Sequence, residues 1–229
     1  GFMENINVIY EDNHIIVVIK PHNIPSQEDE SGDMDMLRMV KEYIKEKYNK
    51  PGEVFVGLVH RLDRPTGGIM VFAKTSKAAK RLAEQIKNGD FVKTYYCVTE
   101  GLPKELDGHL VNYLKKDDNI VKIVPMSEKG AKRAETIYHV LEIENNLAFV
   151  KVNILTGRSH QIRVQMSNIG ASLYGDGKYG KEYKQTKHLA LWAGELSFKH
   201  PTKDETLSFK VYPPMEEPWT KFNLSKYLG

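Results

Sequence analysis

Two runs of β-branched residues open the chain, 6–10 (INVIY) and 15–19 (IIVVI), and the polar Glu11-Asp12-Asn13-His14 between them predicts a β-hairpin. Lys20-Pro21 stops the second run, and 21–32, with Pro25 and the acidic Glu28, Asp29 and Glu30, reads as a loop. Asp33 can then cap a helix running to about Tyr48, in which Met36, Leu37, Val40, Ile44 and Tyr48 recur at helical spacing before Pro51 and Gly52 close it. Strand-like runs follow at 53–59 and 68–74. Ser76 caps a second amphipathic helix with Ala79, Leu82, Ala83 and Ile86 on one face, and Gly89 stands where a left-handed terminator is wanted.

Residues 91–99 (FVKTYYCVT) read as a strand with Lys93, Tyr95 and Cys97 on one face and Thr94, Tyr96 and Val98 on the other, one face expected to be wet. Further strands are expected at 120–124, 134–143 and 147–155, the last two joined by the turn Glu144-Asn145-Asn146. Thr156-Gly157 breaks the pattern, and 158–169 forms a short helix with Ile162, Val164, Met166 and Ile169 as its apolar set, ending at Gly170. The stretch 189–211 reads as two strands around a turn at 200–204. With no internal repeat, low-complexity tract or long linker, no boundary between independent domains can be drawn, and 1–229 reads as a single domain.

At 229 residues, 41% hydrophobic and 28% charged, the chain can bury a sizeable core, and its composition excludes wholesale disorder. The net charge of +3 and pI near 8.7 suit a polyanionic partner without establishing one. Cys97 is the single cysteine, which excludes a disulfide framework and favours a reducing compartment, so a cytoplasmic location is expected. No apolar run approaches the ~18 residues that span a bilayer, and residues 1–5 lack the regions of a signal peptide. His109, His160, His188 and His200 are spread without metal-ligand spacing, so no metal is expected.

Two motifs concentrate the chemistry. In 60–68 (HRLDRPTGG), Asp63 stands between Arg61 and Arg64, just before a turn. Flanking guanidiniums favour an ionised carboxylate, so nucleophile, base or electrostatic anchor suits it better than general acid; the plainer alternative is a solvated ion pair. In 155–165 (LTGRSHQIRVQ), a Gly turn feeds a helix start carrying Arg158, His160, Gln161 and Arg163, a reader of anions or base edges, or else a solvated basic face. Ser159-His160 lacks the surroundings of a hydrolase nucleophile. The stretch 170–180 (GASLYGDGKYG) is glycine-rich without the ending of a phosphate loop, and Tyr174 and Tyr179 can pack or stack on bases.

Taken in order, HRLDRPTGG, KTYYCVTEG (93–101), TGRSHQIRV (156–164) and GASLYGDGKYG resemble the signature of the RluA family of pseudouridine synthases. The opening 10–27 resembles that family's first motif, and HPTKDETLSF (200–209) its C-terminal strands, so the resemblance covers nearly the whole chain. It implies an α+β fold: a long mixed, largely antiparallel sheet in two halves, flanked by helices around a central catalytic cleft. It also implies a reaction needing no metal or cofactor, in which a uridine of RNA is detached from its sugar at N1, turned, and rejoined through C5.

By the same resemblance Asp63 is the catalytic carboxylate, Arg163 the arginine that pairs with it, Tyr95 the tyrosine that packs on the target base and is a candidate for proton transfer, and Ile162 an apolar residue lining the site. Arg61 matches the arginine that helps hold the nucleotide out of the helix, and Arg64, Arg158 and His160 complete the RNA-binding set. Bottom-up chemistry agrees for Asp63, since breaking a glycosidic bond builds positive charge on the sugar that an ionised carboxylate captures or stabilises. The chain departs from the family pattern at Gly67, usually Ser, and at Gln165 and Trp192, each usually His, and no separate N-terminal RNA-binding domain is expected. The expected partner is a stem-loop of ribosomal or transfer RNA, the expected state a monomer, with no membrane association. Two other readings are an RNA-binding or chaperone-like relative with secondary or lost catalysis, and a nucleoside or glycoside hydrolase.

Overall fold

In the computed structural model, residues 6–180 and 188–229 are described; residues 1–5, where no signal-peptide pattern was read, lie outside them. The described residues form twelve strands and four α-helices, an α+β fold. They divide into two compact units, one comprising the chain up to Val92 with Ala193–Val211, the other Lys93–Trp192 with Tyr212–Gly229.

In the first unit β1 (Asn7–Glu11) and β2 (Ile15–Lys20) form the expected hairpin, and β2 pairs antiparallel with β4 (Gly67–Ala73), from Ile15 opposite Ala73 to Lys20 opposite Gly68. β4 lies between β2 and β11 (Leu191–Lys199), and β11 turns back into β12 (Thr206–Lys210). With both edges of β4 taken, the expected strand at 53–59 shrinks to β3 (Gly57–Leu58), bonded opposite Ala73 and Phe72. Every residue of β4 is buried, which explains its uninterrupted apolar run.

α1 (Met36–Lys47) is capped by Asp35, whose carboxylate accepts the Arg38 N–H at 3.0 Å, not by Asp33. Asp33 is instead drawn to Arg64. α2 (Ser76–Asn88) is capped by Thr75 rather than Ser76, because the Thr75 hydroxyl reaches the Ala78 N–H at 3.1 Å. Gly89 ends it at φ +80°, as expected. The apolar stripes are narrower than their periodicity implied: Tyr48, Ala83 and Ile86 are exposed, while Ala78 and Leu82 seal a core of Ile15, Val17, Ile69, Val71, Leu196 and Phe198.

The second unit is built on five antiparallel strands in the order β5 (Val92–Glu100), β9 (Leu147–Ile154), β8 (Lys132–Glu144), β6 (Asp107–Asp117), β7 (Ile120–Val124). The β8–β9 turn falls on Asn145 at φ +52°, the left-handed conformation that asparagine tolerates. The wet face expected on β5 is absent: Thr94 to Thr99 are buried throughout. Tyr96 stacks on Phe149 at 5.5 Å, and Phe149 in turn meets Trp219 and Phe222 from the C-terminal segment, which covers that face. β6 was not expected at all, because its half-exposed run of Asp, Gly, Asn and Lys lacks a β-branched signature.

α3 (Gln161–Asn168) begins three residues later than read, after His160 at φ +55°. Its Val164 packs with Leu114, Val121 and Ala134 on one side of the sheet. β10 (Ser172–Leu173) pairs with the end of β5, and α4 (Ser225–Leu228) closes the chain.

Candidate active site

Asp63 occupies an exposed turn leading into β4, and the turn is pinned from behind by buried polar side chains. The Ser26 hydroxyl donates to the Leu62 carbonyl at 2.6 Å and accepts the Leu62 N–H at 3.0 Å, a reciprocal clamp on the residue before Asp63. His22 Nδ1 donates to the Pro65 carbonyl at 2.8 Å, the Asn23 N–H reaches the Arg64 carbonyl at 2.8 Å, and Thr66 N–H closes the turn on the Asp63 carbonyl at 2.9 Å. Backbone groups on both sides of Asp63 are thus bonded while its side chain faces solvent. A carboxylate on a braced turn is presented without the entropy loss that ordering a mobile loop would cost.

Lys20, at the end of β2, is fully buried, and its Nζ donates to the Pro21 and Arg64 carbonyls at 3.0 Å each. Burial pushes its pKa down to about 7, against the attraction of the Asp63 charge and with the repulsion of Arg64. The sequence reading passed over this residue; a lysine closing a β-branched run and followed by Pro was its one visible signal.

The two arginines beside Asp63 behave differently. Arg61 is exposed. Arg64 turns to the acidic loop, its Nη1 donating to Asp29 at 3.2 Å and to the Ser31 hydroxyl at 3.1 Å, and its Nη2 to Asp33. The guanidinium read as a neighbour holding Asp63 ionised therefore carries two other carboxylates.

In the second unit, Tyr95 on β5 and Ile162 on α3 are buried. Arg163 makes a bidentate pair with Asp176, Nε to Oδ2 at 3.0 Å and Nη2 to Oδ1 at 2.8 Å. Asp176 also accepts the N–H groups of Lys178 and Tyr179 at 3.1 Å each. Burial alone would raise its pKa, but the hydrogen bonds and charge of Arg163, with those amides, hold it below the usual carboxylate range. The Arg163 guanidinium lies over the Tyr179 ring, 5.0 Å from its centre. The Tyr179 hydroxyl accepts the Val121 N–H at 3.0 Å and is bonded to His160 Nδ1 at 2.5 Å.

The motif at 155–165 thus divides. Arg163 and His160 meet through Tyr179, while exposed Arg158 donates its Nε to the Arg133 carbonyl at 2.8 Å. Gln161 is a bracing residue: its Oε1 accepts the Arg158 N–H at 3.0 Å, and its Nε2 donates to the Glu135 carbonyl at 3.0 Å. Gln165 is also braced from all sides, accepting from the Thr136 hydroxyl at 2.5 Å and donating to Asn112 Oδ1 at 2.9 Å. Trp192 is buried, and Gly67 is a buried residue of β4. Asp176 was missed because it sits in a glycine-rich stretch read only as turns.

Among the described residues no cluster of His, Cys, Asp and Glu could hold a metal ion, and no helix is long and apolar enough to cross a membrane. Cys97 is buried, and burial pushes its thiol up to about 12.

A family model described as RNA pseudouridylate synthase matches residues 14–168. Over 224 residues the chain is 32% identical to ribosomal large subunit pseudouridine synthase D of Zymomonas mobilis, spanning 92% of this chain and 70% of that protein. It is also 32% identical, over 215 residues, to dual-specificity RNA pseudouridine synthase RluA of Pasteurella multocida, spanning 91% of this chain and 93% of that one. Among solved structures, human RNA pseudouridylate synthase domain containing 4 shares the fold with a TM-score of 0.77 at 24% identity, over 91% of this chain and 88% of that one.

Proposed function

Since the chain belongs to the RNA pseudouridylate synthase family, and is thus an isomerase acting on RNA, we propose that it converts particular uridines of structured ribosomal or transfer RNA to pseudouridine with Asp63 as the catalytic carboxylate. The observation that carries this reading is the presentation of Asp63, exposed on a turn whose flanking backbone is locked by Ser26, His22, Asn23 and Lys20.

As the N1–C1′ bond breaks, positive charge grows on the sugar, and a carboxylate held at fixed geometry stabilises or captures it. The base then turns and rejoins through C5, and the C5 proton must leave. Tyr95 packs on the base and is the group proposed to handle that proton. Ile162 lines the apolar wall, and Arg163, paired with Asp176, is the arginine proposed to act with Asp63. Arg61, Arg158 and His160 contact the RNA, and Arg64 joins them by exchanging its acidic partners for phosphate. The reaction rearranges bonds within one nucleotide with no net oxidation, so these side chains suffice. In this reading 1–229 works as a monomeric, single catalytic domain in the cytoplasm on a stem-loop, and the departures at Gly67, Gln165 and Trp192 leave the identities of Asp63, Tyr95 and Arg163 unchanged.

The test is Asp63→Asn, which removes the charge and keeps the shape. Cellular RNA incubated with purified protein and mapped for pseudouridine should be modified by the wild type and not by the variant, at equal melting temperature and RNA affinity. Near-normal turnover by the variant would sink the role of Asp63; release of free uracil by the wild type would assign it to a hydrolase instead.

A further inference from the structure

The sheet of the second unit has one face sealed by α3 and another that is open beside it. Residues directly opposite one another on neighbouring strands share a face, and successive residues alternate. Leu114, Val121 and Ala134 meet Val164 of α3, so the reverse face of the same strands carries Val111, Tyr113 and Lys115 from β6, Lys122 and Val124 from β7, and Arg133 and Glu135 from β8. Tyr113 stands between Arg133 and Val124, and Lys115 stands directly opposite Lys122. Val111 is 41% exposed although it lies mid-strand, and Tyr113 and Lys115 are half-buried, with Gly130 of the following loop beside the Lys115 stem.

Positive charge on this face is concentrated at the Lys115–Lys122 pair. Two ammonium groups opposed across a strand pair repel each other and weaken the pairing. Their neighbours offer little relief: Glu128 is 3.8 Å from Lys115, and Lys122 has no ion pair among the described residues. Asp117 shares the face two residues along β6 from Lys115, and Glu135 is divided between Arg133 at 2.9 Å and His109 at 2.5 Å. Arg158, bonded to the Arg133 carbonyl, brings another guanidinium to the start of β8. An anion between Lys115 and Lys122 would relieve the repulsion, and a planar group on Tyr113 would cover the apolar strip.

A row of phosphates with bases beside it satisfies both demands at once. We infer that the open face of β6, β7 and β8 is a second RNA-binding surface, taking a single-stranded stretch of the substrate away from the target uridine. One base stacks on Tyr113 and flanking phosphates meet Lys115, Lys122 and Arg133. The inference rests on RNA being the substrate of this chain and not on the role of Asp63.

The experiment measures binding without turnover, using the full chain carrying Asp63→Asn and a fluorescein-labelled twelve-nucleotide oligouridine, by anisotropy over a salt series. In that background Lys115→Gln/Lys122→Gln should weaken binding by roughly tenfold at 0.1 M salt. It should also flatten the slope of log affinity against log salt by about 1.4, from about 0.7 per phosphate contact on a single strand. Tyr113→Leu should weaken binding about fivefold or more with the slope unchanged, and Tyr113→Phe should restore it, because stacking needs the ring and not the hydroxyl. A control pair of exposed lysines on α2, Lys80→Gln/Lys87→Gln, should leave both readouts near their starting values.

An unchanged slope in the Lys115/Lys122 variant overturns the proposal, as does an equal loss in the control pair, which would mean net charge alone. Full affinity in Tyr113→Leu, with melting temperature retained, rejects single-strand stacking. A twelve-base-pair duplex bound more tightly than the oligouridine, and insensitive to Tyr113→Leu, would replace the proposed partner. Failure of the Asp63 assignment changes none of these readouts.

Discussion

Arg163 and Asp176 lie thirteen residues apart and meet through two hydrogen bonds of 3.0 and 2.8 Å, with the carboxylate side chain at 0% and the guanidinium side chain at 10% exposure. A pair so enclosed leaves a charge stranded when one member is removed, at a cost of roughly 3 to 5 kcal/mol. Arg163→Met and Asp176→Asn should each lower stability in urea titrations, and the double variant should lose clearly less than the sum, whereas Arg158→Met, at an exposed site, should lose little. The folded pKa of Asp176 is depressed, so its contribution is present above the ordinary carboxylate pKa and is lost as pH falls below ~4. Additive losses at neutral pH would mean the pair is not coupled, and rate measurements on Arg163→Met must be made below its lowered melting temperature.

Lys20 predicts a second rise of stability with pH, in the alkaline range. Burial holds its folded pKa at about 7, against ~10.4 in an unfolded chain. Between those values the unfolded state binds the proton that the folded state has released. Stability gained from this residue therefore rises with pH from about 7 to 10, with a slope of up to ~1.4 kcal/mol per unit. Urea midpoints at pH 7, 8 and 9 should climb more steeply in the wild type than in Lys20→Met, and parallel curves would contradict the pKa assigned to the buried ammonium.

Gly68 is the residue of the Asp63 motif that admits no side chain. Its φ is +140°, and a Cβ there would lie 2.3 Å from the Ala193 carbonyl oxygen on β11. Gly68→Ala must shift β4 away from β11 and hold a backbone conformation open essentially to glycine. We expect a loss of more than ~3 kcal/mol, the range reserved for such named defects, read as a collapse of the melting temperature; a variant melting near the wild type would show that the sheet yields easily.

The target uridine should be taken from a loop faster than from a duplex. A stacked uridine hides C1′ and C5 from any carboxylate, and turning it out costs a few kcal/mol, less when it is already unpaired. Two RNAs with the same local sequence, one presenting the uridine in a hairpin loop and the other in a duplex, should be modified at clearly different rates at matched salt. Equal rates would contradict this account of access.

Much of this architecture was legible in the residues alone, because its signals are local. The β1–β2 and β8–β9 hairpins announce themselves by β-branched runs around polar turns, and Gly89 ends α2 where a left-handed residue is needed. The ordered motifs likewise pointed to the family, and Asp63 to an exposed turn. What periodicity could not reach was partnership. Asp33 and Asp35 are equally good caps on paper; Arg64, placed near Asp33 by the fold, leaves the helix to Asp35. β5 reads as a strand with one wet face, yet both its faces are buried, the Tyr96 face under the C-terminal aromatics, and β6 becomes a strand only because β7 and β8 flank it. The bonds of Lys20 to the Arg64 carbonyl, 44 residues on, and of Arg163 to Asp176 exist only once the chain has crossed itself. Sequence therefore determined the elements and the motif residues, through spacings of a few positions. The tertiary structure alone decided which charges are buried and what each one holds, because desolvation and pairing depend on distance in space and not along the chain.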